Sequence, residues 1–189
     1  MFKSRFWKNF DWILFGVMVL LVATGLLVIW STSFKATSLA GSSDVLHQAI
    51  FALVGLVVFF YIARSDYRSW ARLTPWLYGL MVFLLLLVLI VSRAVLGAQR
   101  WINFGFFQFQ PSEFAKLILI VVLARFFADH YEQLQRPKYL ALSLAYLVVP
   151  VVLVAKQPDL GTAVVLIAIW LAMALVSRVR KLHLFILAG

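Results

Sequence analysis

The stretch GAQRWINFGFFQFQPSEFAK, residues 97–116, lies between two long apolar segments and carries more chemistry than a connector needs. It contains an arginine, glutamines, an asparagine and an aromatic cluster, and it ends with Glu113 and Lys116 at the head of the next apolar segment. A loop that only joined two membrane helices would not require these side chains. The rest of the chain is interpreted as a scaffold that places this stretch at one face of a membrane.

The composition indicates an integral membrane protein. Of 189 residues, 65% are hydrophobic and 13% are charged, whereas a soluble domain is about half apolar and about a quarter charged. The chain has no cysteine, which excludes a disulfide framework, a thiolate metal site and a thiol nucleophile. The three histidines are scattered without the spacing of metal ligands, so no metal site is predicted.

Six apolar segments are long enough to cross the hydrocarbon core as helices. The pattern predicts an all-α, polytopic membrane helix bundle that forms a single transmembrane domain over residues 1–189. A seventh span begins after residue 183, but six apolar residues cannot cross a bilayer. We therefore expect the chain to be the N-terminal part of a longer protein. The predicted spans cover residues 12–30, 46–63, 73–92, 111–128, 139–155 and 160–176.

The positive charges predict the orientation of these spans. The net charge is +10, but the basic residues fall between apolar segments rather than along one soluble face, which argues against nucleic-acid binding. With the N-terminus in the cytoplasm, the outside receives only Lys35, Arg93, Arg100 and Lys156. The inside then receives Lys3, Arg5, Lys8, Arg64, Arg68, Arg72, Arg125, Arg136, Lys138, Arg178, Arg180 and Lys181, as the positive-inside rule requires.

Two similar sequence motifs lie at the outer face in this orientation. Residues 110–113, QPSE, open the fourth span, and residues 157–160, QPDL, open the sixth. Proline suits the first helical position, and an acid in the first turn complements the helix dipole. Helix capping therefore remains an alternative explanation for both Glu113 and Asp159.

Lys116 favours a functional interpretation of the same region. It lies three residues after Glu113 on the same helix face, and a lysine at that depth is costly in lipid unless it faces the bundle with a partner. We predict a buried Glu113–Lys116 pair with Asp159 nearby. The cluster either locks two helices together or borders a polar cavity that receives substrate. Arg100 either holds an anionic group such as a pyrophosphate or anchors its loop at the headgroup level.

Three motifs resemble those of a known family. GAQRWINFG at 97–105, FQPSEFAKL at 109–117 and QPDLGTA at 157–163 are similar to the shape, elongation, division and sporulation proteins, the RodA/FtsW/SpoVE family. The resemblance runs from Trp30-Ser31 after the first span to the last of these motifs. Gln99 and Leu160 look more like RodA than FtsW. The matching family positions are Arg100, Glu113, Lys116 and Asp159.

The resemblance implies a bundle of about ten helices in the bacterial inner membrane. It implies that the full-length protein polymerises glycan strands from lipid II for cell-wall elongation, with a class B penicillin-binding protein as partner. A carboxylate would act as general base on the acceptor hydroxyl, and cationic groups, with or without a divalent cation, would stabilise the leaving pyrophosphate. The family's proposed catalytic acid lies in a loop after the seventh span, so we expect this chain to be inactive alone.

Two other functions remain open. A lipid-linked precursor flippase or an ion-coupled transporter would use Glu113, Lys116 and Asp159 as a relay. Such a path needs polar groups through the whole membrane, and the cytoplasmic halves of the spans hold few beyond Arg125. A scaffold that only holds a partner enzyme would not need Lys116 at depth.

Overall fold

The computed structural model describes residues 10–35, 40–91, 100–104, 108–177 and 179. The chain divides into two compact units, Met1–Asp66 and Tyr67–Gly189. Each unit is described by itself below.

The first unit is a pair of long helices, α1 (Trp12–Lys35) and α2 (Ala40–Arg64). Asp11 caps the start of α1, because its Oδ1 accepts hydrogen bonds from the backbone N–H groups of Ile13 and Leu14 at 3.0 and 2.9 Å. Aromatic rings join the start of α1 to the end of α2, with 5.8 Å between the Phe15 and Phe59 ring centroids. Over residues 12–31 and 45–64, where side-chain exposure is described, both helices are largely exposed and apolar, as expected of segments that contact lipid.

The second unit contains the short helix α3 (Tyr67–Arg72) and four longer helices. These are α4 (Thr74–Val91), α5 (Pro111–Asp129), α6 (Pro137–Lys156) and α7 (Leu160–Val176), and a 3₁₀ turn at Tyr131–Gln133 joins α5 to α6. The longer helices bury apolar side chains against one another, and the core includes Met81, Leu85, Leu119, Leu123, Leu147, Leu166 and Trp170.

Polar contacts also join the helices of the second unit. The indole Nε1 of Trp170 on α7 donates to Ser143 Oγ on α6 at 3.1 Å. The phenol of Tyr78 on α4 donates to the backbone carbonyl of Tyr146 on α6 at 3.3 Å. Pro150 lies inside α6 and is buried. A proline cannot donate to the carbonyl four residues earlier, which here is that of Tyr146, and the Tyr78 phenol donates to this carbonyl instead.

A small β-ribbon precedes α5. Strands β1 (Ile102–Asn103) and β2 (Gln108–Phe109) pair antiparallel, with Ile102 opposite Phe109 and Asn103 opposite Gln108. The sequence pattern predicts a loop here and gives no sign of the ribbon. The ribbon reverses the direction of the chain. The residues just before β1 and just after β2 are therefore neighbours.

Helices occupy all six predicted spans, which confirms the all-α membrane bundle as the fold class. Helices α1 and α2 are longer than the predicted segments 12–30 and 46–63. Among the described residues, α1, α2, α4 and α6 are long and apolar enough to cross a membrane. Two of the longer helices fall outside this group. Helix α5 carries four charged residues, Glu113, Lys116, Arg125 and Asp129, and α7 has only 17 residues.

Three predictions about the membrane arrangement stay predictions. These are the crossing of α5 and α7, the cytoplasmic N-terminus and the single transmembrane domain over 1–189. The start of a seventh span at 184–189 lies outside the described residues.

Candidate functional site

Asp159 is the centre of a polar network at the start of α7. It is the N-cap of this helix: Oδ1 accepts from the backbone N–H of Thr162 at 3.2 Å, and Oδ2 accepts from Thr162 Oγ1 at 2.8 Å. Asp159 is only 5% exposed. The capping alternative is therefore correct for this residue, because a buried carboxylate here satisfies the free backbone N–H groups of the first turn.

Gln110 connects this cap to the start of α5. Its Nε2 donates to Asp159 Oδ2 at 3.2 Å and lies 3.0 Å from Ser112 Oγ. Gln110 precedes the helix, and Pro111 takes the first helical position. The two motifs that opened the fourth and sixth predicted spans therefore meet in space, and a glutamine side chain forms the contact.

Arg100, which precedes β1, is the third partner of Asp159. Its Nη1 lies 3.6 Å from Asp159 Oδ1, and the arginine side chain is 39% exposed. The strand register explains this position. Because Ile102 is opposite Phe109, the same register continued outward brings Arg100 beside Gln110 and Pro111. The ribbon thus positions Arg100 beside the Asp159 carboxylate, which caps α7.

Glu113 and Lys116 form a separate pair. Lys116 Nζ donates to Glu113 Oε1 at 2.8 Å, which confirms the predicted contact. The prediction that the pair is buried is wrong, since the side chains of Glu113 and Lys116 are 54% and 26% exposed. Glu113 shares the i, i+4, i+7 face of α5 with the exposed residues Leu117 and Ile120. The opposite face of α5 packs against the other helices.

The predicted single ionic cluster is therefore two groups: the Asp159 network, which reaches the start of α5 through Gln110, and the Glu113–Lys116 pair on α5 itself. Asp159 makes no hydrogen bond or ion pair with Glu113 or Lys116 in the part of the chain that the structure describes. Its partners are Gln110, Thr162 and Arg100. The approach of the two helix starts was predicted, and the side chains that make the contact were not.

The contacts of Asp159 define what the network can do chemically. Both carboxylate oxygens are engaged, with Thr162 and Arg100 at Oδ1 and with Thr162 and Gln110 at Oδ2. Because both oxygens already accept from these donors, Asp159 serves to hold its partners in place. Arg100 has five N–H donors, and its half-exposed side chain can offer the others to an anion. The network is therefore suited to hold the Arg100 guanidinium toward an anionic group.

A divalent cation does not fit these residues. A divalent cation needs free carboxylate oxygens as ligands, and both oxygens of Asp159 already accept from Thr162, Gln110 and Arg100. In the described ranges, no three His, Asp or Glu side chains come together as a metal site. No step of the chemistry is assigned to a metal.

Sequence reasoning missed Gln110, Thr162 and Gln157 as members of the site region. Gln157 is fully buried; its Nε2 donates to the backbone carbonyl of Leu85 on α4 at 3.1 Å, while its Oε1 has no hydrogen-bond partner among the described residues. The signal was present, since glutamine precedes proline in both motifs. The two glutamines nevertheless have different roles, because one reaches the cap of α7 and the other reaches α4.

Comparisons with known proteins show which family the chain resembles. Residues 11–189 match the cell cycle protein family FtsW/RodA/SpoVE. The chain is 32% identical to the peptidoglycan glycosyltransferase RodA of Treponema pallidum, over 90% of this chain and 39% of that protein. It is 30% identical to the stage V sporulation protein E of Bacillus subtilis, over 95% and 50%. The chain thus spans about two fifths to one half of these relatives.

Solved structures are similar to this fold. The crystal structure of the rod shape determining protein RodA from Thermus thermophilus has a TM-score of 0.74 and 31% identity, covering 96% of this chain and 59% of that one. A chain from a peptidoglycan synthase complex has a TM-score of 0.73 and 30% identity, covering 95% and 52%. The family match, these structures and the apolar helices lead to one conclusion: the chain belongs to the FtsW/RodA/SpoVE family and is a multi-pass protein of the bacterial inner membrane.

Proposed function

We propose that this chain is part of a peptidoglycan glycosyltransferase that polymerises lipid II at the outer face of the inner membrane. The observation that carries the proposal is the Asp159 network, which joins the two QP motifs and Arg100 at one end of the second unit. The relatives named as peptidoglycan glycosyltransferases support the activity. The predicted orientation puts this end on the outside, where glycan strands are made.

In the proposed reaction, Arg100 binds the pyrophosphate of a lipid-linked sugar. A base removes the proton from the acceptor hydroxyl, the oxygen bonds to the anomeric carbon of the donor, and the bond from that carbon to the pyrophosphate breaks. The pyrophosphate leaves with the electron pair, and the guanidinium stabilises its charge. Asp159 acts as a positioning residue for Arg100, because its oxygens are already engaged.

Glu113 and Lys116 are proposed to line the cavity next to this network. An ion pair on a half-exposed helix face is costly against acyl chains, whereas a polar cavity solvates it. For this reason we place the charged pair at the substrate path, while the exposed apolar residues Leu117 and Ile120 continue the same face further along α5. In this role the two side chains contribute little to stability and a great deal to the binding of a polar headgroup.

The finer assignment is an elongation role like that of RodA, with a class B penicillin-binding protein as partner. Gln99 and Leu160 in the motifs support the RodA-like role. The similarity to a chain of a peptidoglycan synthase complex supports a synthase partner. Family relatives named RodA, FtsW and SpoVE have comparable identities to this chain.

The experiment is a polymerisation assay with fluorescent lipid II and the partner synthase in proteoliposomes. Because the relatives are longer, this chain replaces the matching segment of Thermus thermophilus RodA, and the 189-residue chain is assayed in parallel. We expect glycan strands from the chimaera and none from the 189-residue chain alone. Strands are separated by gel electrophoresis, and the amount of each protein is measured in the same vesicles.

Lipid movement is measured in the same proteoliposomes. If the chimaera moves labelled lipid II across the membrane without making strands, the transport alternative replaces this proposal. If it makes no strands while the parent RodA does, and the two are present in equal amounts, the chain lacks the activity.

A further inference from the structure

A second polar site lies at the other end of α5 from the Asp159 network. A groove of about 590 Å³ opens there, lined by residues from α3, α4, α5 and α6. Its lining includes Arg72 at the end of α3 and Arg125 near the end of α5, together with the aromatic residues Tyr78, Phe126 and Tyr146. None of these residues takes part in the site described above.

The charges of the groove favour an anion. Arg125 Nε lies 2.6 Å from Asp129 Oδ2, and Arg72 Nη2 donates to Ser69 Oγ at 3.3 Å. Asp129 offsets one of the two guanidinium groups in the lining, so the arginine and aspartate side chains together leave one net positive charge. Each of these contacts engages one nitrogen of a guanidinium with five N–H donors, which leaves donors on both arginines for a phosphate.

Most of the remaining lining is apolar or aromatic and suits the neighbouring part of a lipid. Tyr78 and Tyr146 pack edge to face with 5.2 Å between ring centroids, and Val122 and Phe126 continue the wall along α5. A cationic rim above an apolar wall matches a charged headgroup attached to acyl chains. The predicted orientation places this end in the cytoplasmic leaflet, where anionic lipids collect at basic surfaces and in basic pockets between helices.

We propose that this groove binds the phosphate of an anionic phospholipid of the cytoplasmic leaflet, with Arg72 and Arg125 as the two phosphate ligands. Phosphatidylglycerol has the required chemistry, a single phosphodiester beside two acyl chains. The site is separate from the glycan-forming end of the molecule, so it can be tested without measuring polymerisation.

The test is native mass spectrometry of the 189-residue chain in detergent, titrated with phosphatidylglycerol or with phosphatidylcholine. We expect the wild type to retain phosphatidylglycerol in preference to phosphatidylcholine. Arg72→Gln and Arg125→Gln are each expected to weaken phosphatidylglycerol binding about fivefold. Arg125→Gln/Asp129→Asn keeps the net charge of the groove but lacks the guanidinium, and it is expected to bind as weakly as Arg125→Gln.

Arg136→Gln is the matched control, because Arg136 is exposed at the same end of the helices and outside the groove lining. Far-UV circular dichroism and elution volume verify that each variant is folded. The proposal is overturned if Arg136→Gln weakens binding as much as the groove variants, since general surface charge then explains it. It is also overturned if the groove variants bind normally, or if excess inorganic phosphate displaces the lipid, which would make free phosphate the ligand.

Discussion

At the scale of single residues, Asp159 is both a helix cap and the centre of the proposed site. Its oxygens accept from the first turn of α7, from the amide of Gln110 and from Arg100. Capping of α7 fixes the position of the Asp159 carboxylate, and the carboxylate in turn holds Arg100 in position. The structural and functional interpretations of this residue therefore do not compete, because one set of contacts serves both.

Substitutions at Asp159 should separate its capping role from its charge. Asn is as good an N-cap as Asp, so Asp159→Asn is expected to lower the free energy of unfolding by about 1 kcal/mol at most. Asp159→Ala loses the cap and leaves the buried donors of Gln110 and Thr162 unpaired, for a loss of about 2–4 kcal/mol. The measurement is unfolding in mixed micelles, followed by circular dichroism.

Asp129→Ala is the matched control for this comparison. Asp129 also pairs with an arginine, but both side chains are nearly half-exposed, so the loss should stay near 0.5 kcal/mol or below. Equal losses for Asp159→Asn and Asp159→Ala would show that the charge, and not the cap, stabilises this region.

At the scale of elements, the second unit is held by apolar packing with a few buried hydrogen bonds between helices. The clearest is Trp170 Nε1 to Ser143 Oγ, which joins α7 to α6 while Ser143 donates to the Leu140 carbonyl at 2.7 Å. Hydrogen bonds of this kind in membranes contribute about 0.6 kcal/mol on average and up to about 1.7. The contact is buried at both ends.

A double-mutant cycle should detect this contact. Ser143→Ala and Trp170→Phe, alone and together, are expected to give a coupling energy of about 0.6–1.7 kcal/mol in the free energy of unfolding. Ser177→Ala replaces Ser143→Ala in the control cycle. Among the described residues, the Ser177 hydroxyl bonds only within its own turn, to the carbonyl of Ala174 at 2.9 Å. A coupling near zero for Ser143 and Trp170 would mean that the bond does not join the two helices in the membrane.

The elements were predictable from sequence where one strong pattern decides them. Apolar runs long enough to cross a bilayer located the helices, and Pro111 marked the start of α5. The β-ribbon was not predictable in the same way. It has two residues in each strand, which is too short to show an alternating pattern.

The site was predictable only in part, for a related physical reason. Sequence spacing along one helix correctly paired Glu113 with Lys116, since residues three apart share a face. It did not show which face of α5 packs against the other helices, so the predicted burial of that pair was wrong. Contacts between distant stretches, such as Gln110 with Asp159, depend on the tertiary arrangement and carry no local pattern.

At the scale of the whole molecule, the account depends on the orientation of the helices in the membrane. The Asp159 network and the arginine-lined groove lie at opposite ends of α5. The charge distribution places the network outside and the groove inside. The first faces lipid-linked sugars and the second faces the anionic cytoplasmic leaflet, so a reversed orientation would remove the reason for both proposals.

The absence of cysteine allows this orientation to be measured directly. Gln108→Cys in β2 and Arg136→Cys before α6 each introduce one exposed thiol at opposite ends of the second unit. A membrane-impermeant maleimide, added to spheroplasts, is expected to label Gln108→Cys at once and Arg136→Cys only after the membrane is permeabilised. The reverse pattern would place the N-terminus outside and contradict the predicted topology.

The most direct test of the central claim is the rate of glycan strand formation by the Thermus chimaera carrying Arg100→Gln, Asp159→Asn or both. Because Asp159 acts through Arg100, we predict a loss of about tenfold or more for each single variant and no further loss in the double variant. Single variants that polymerise lipid II at the wild-type rate, at wild-type amounts of protein, would contradict the account.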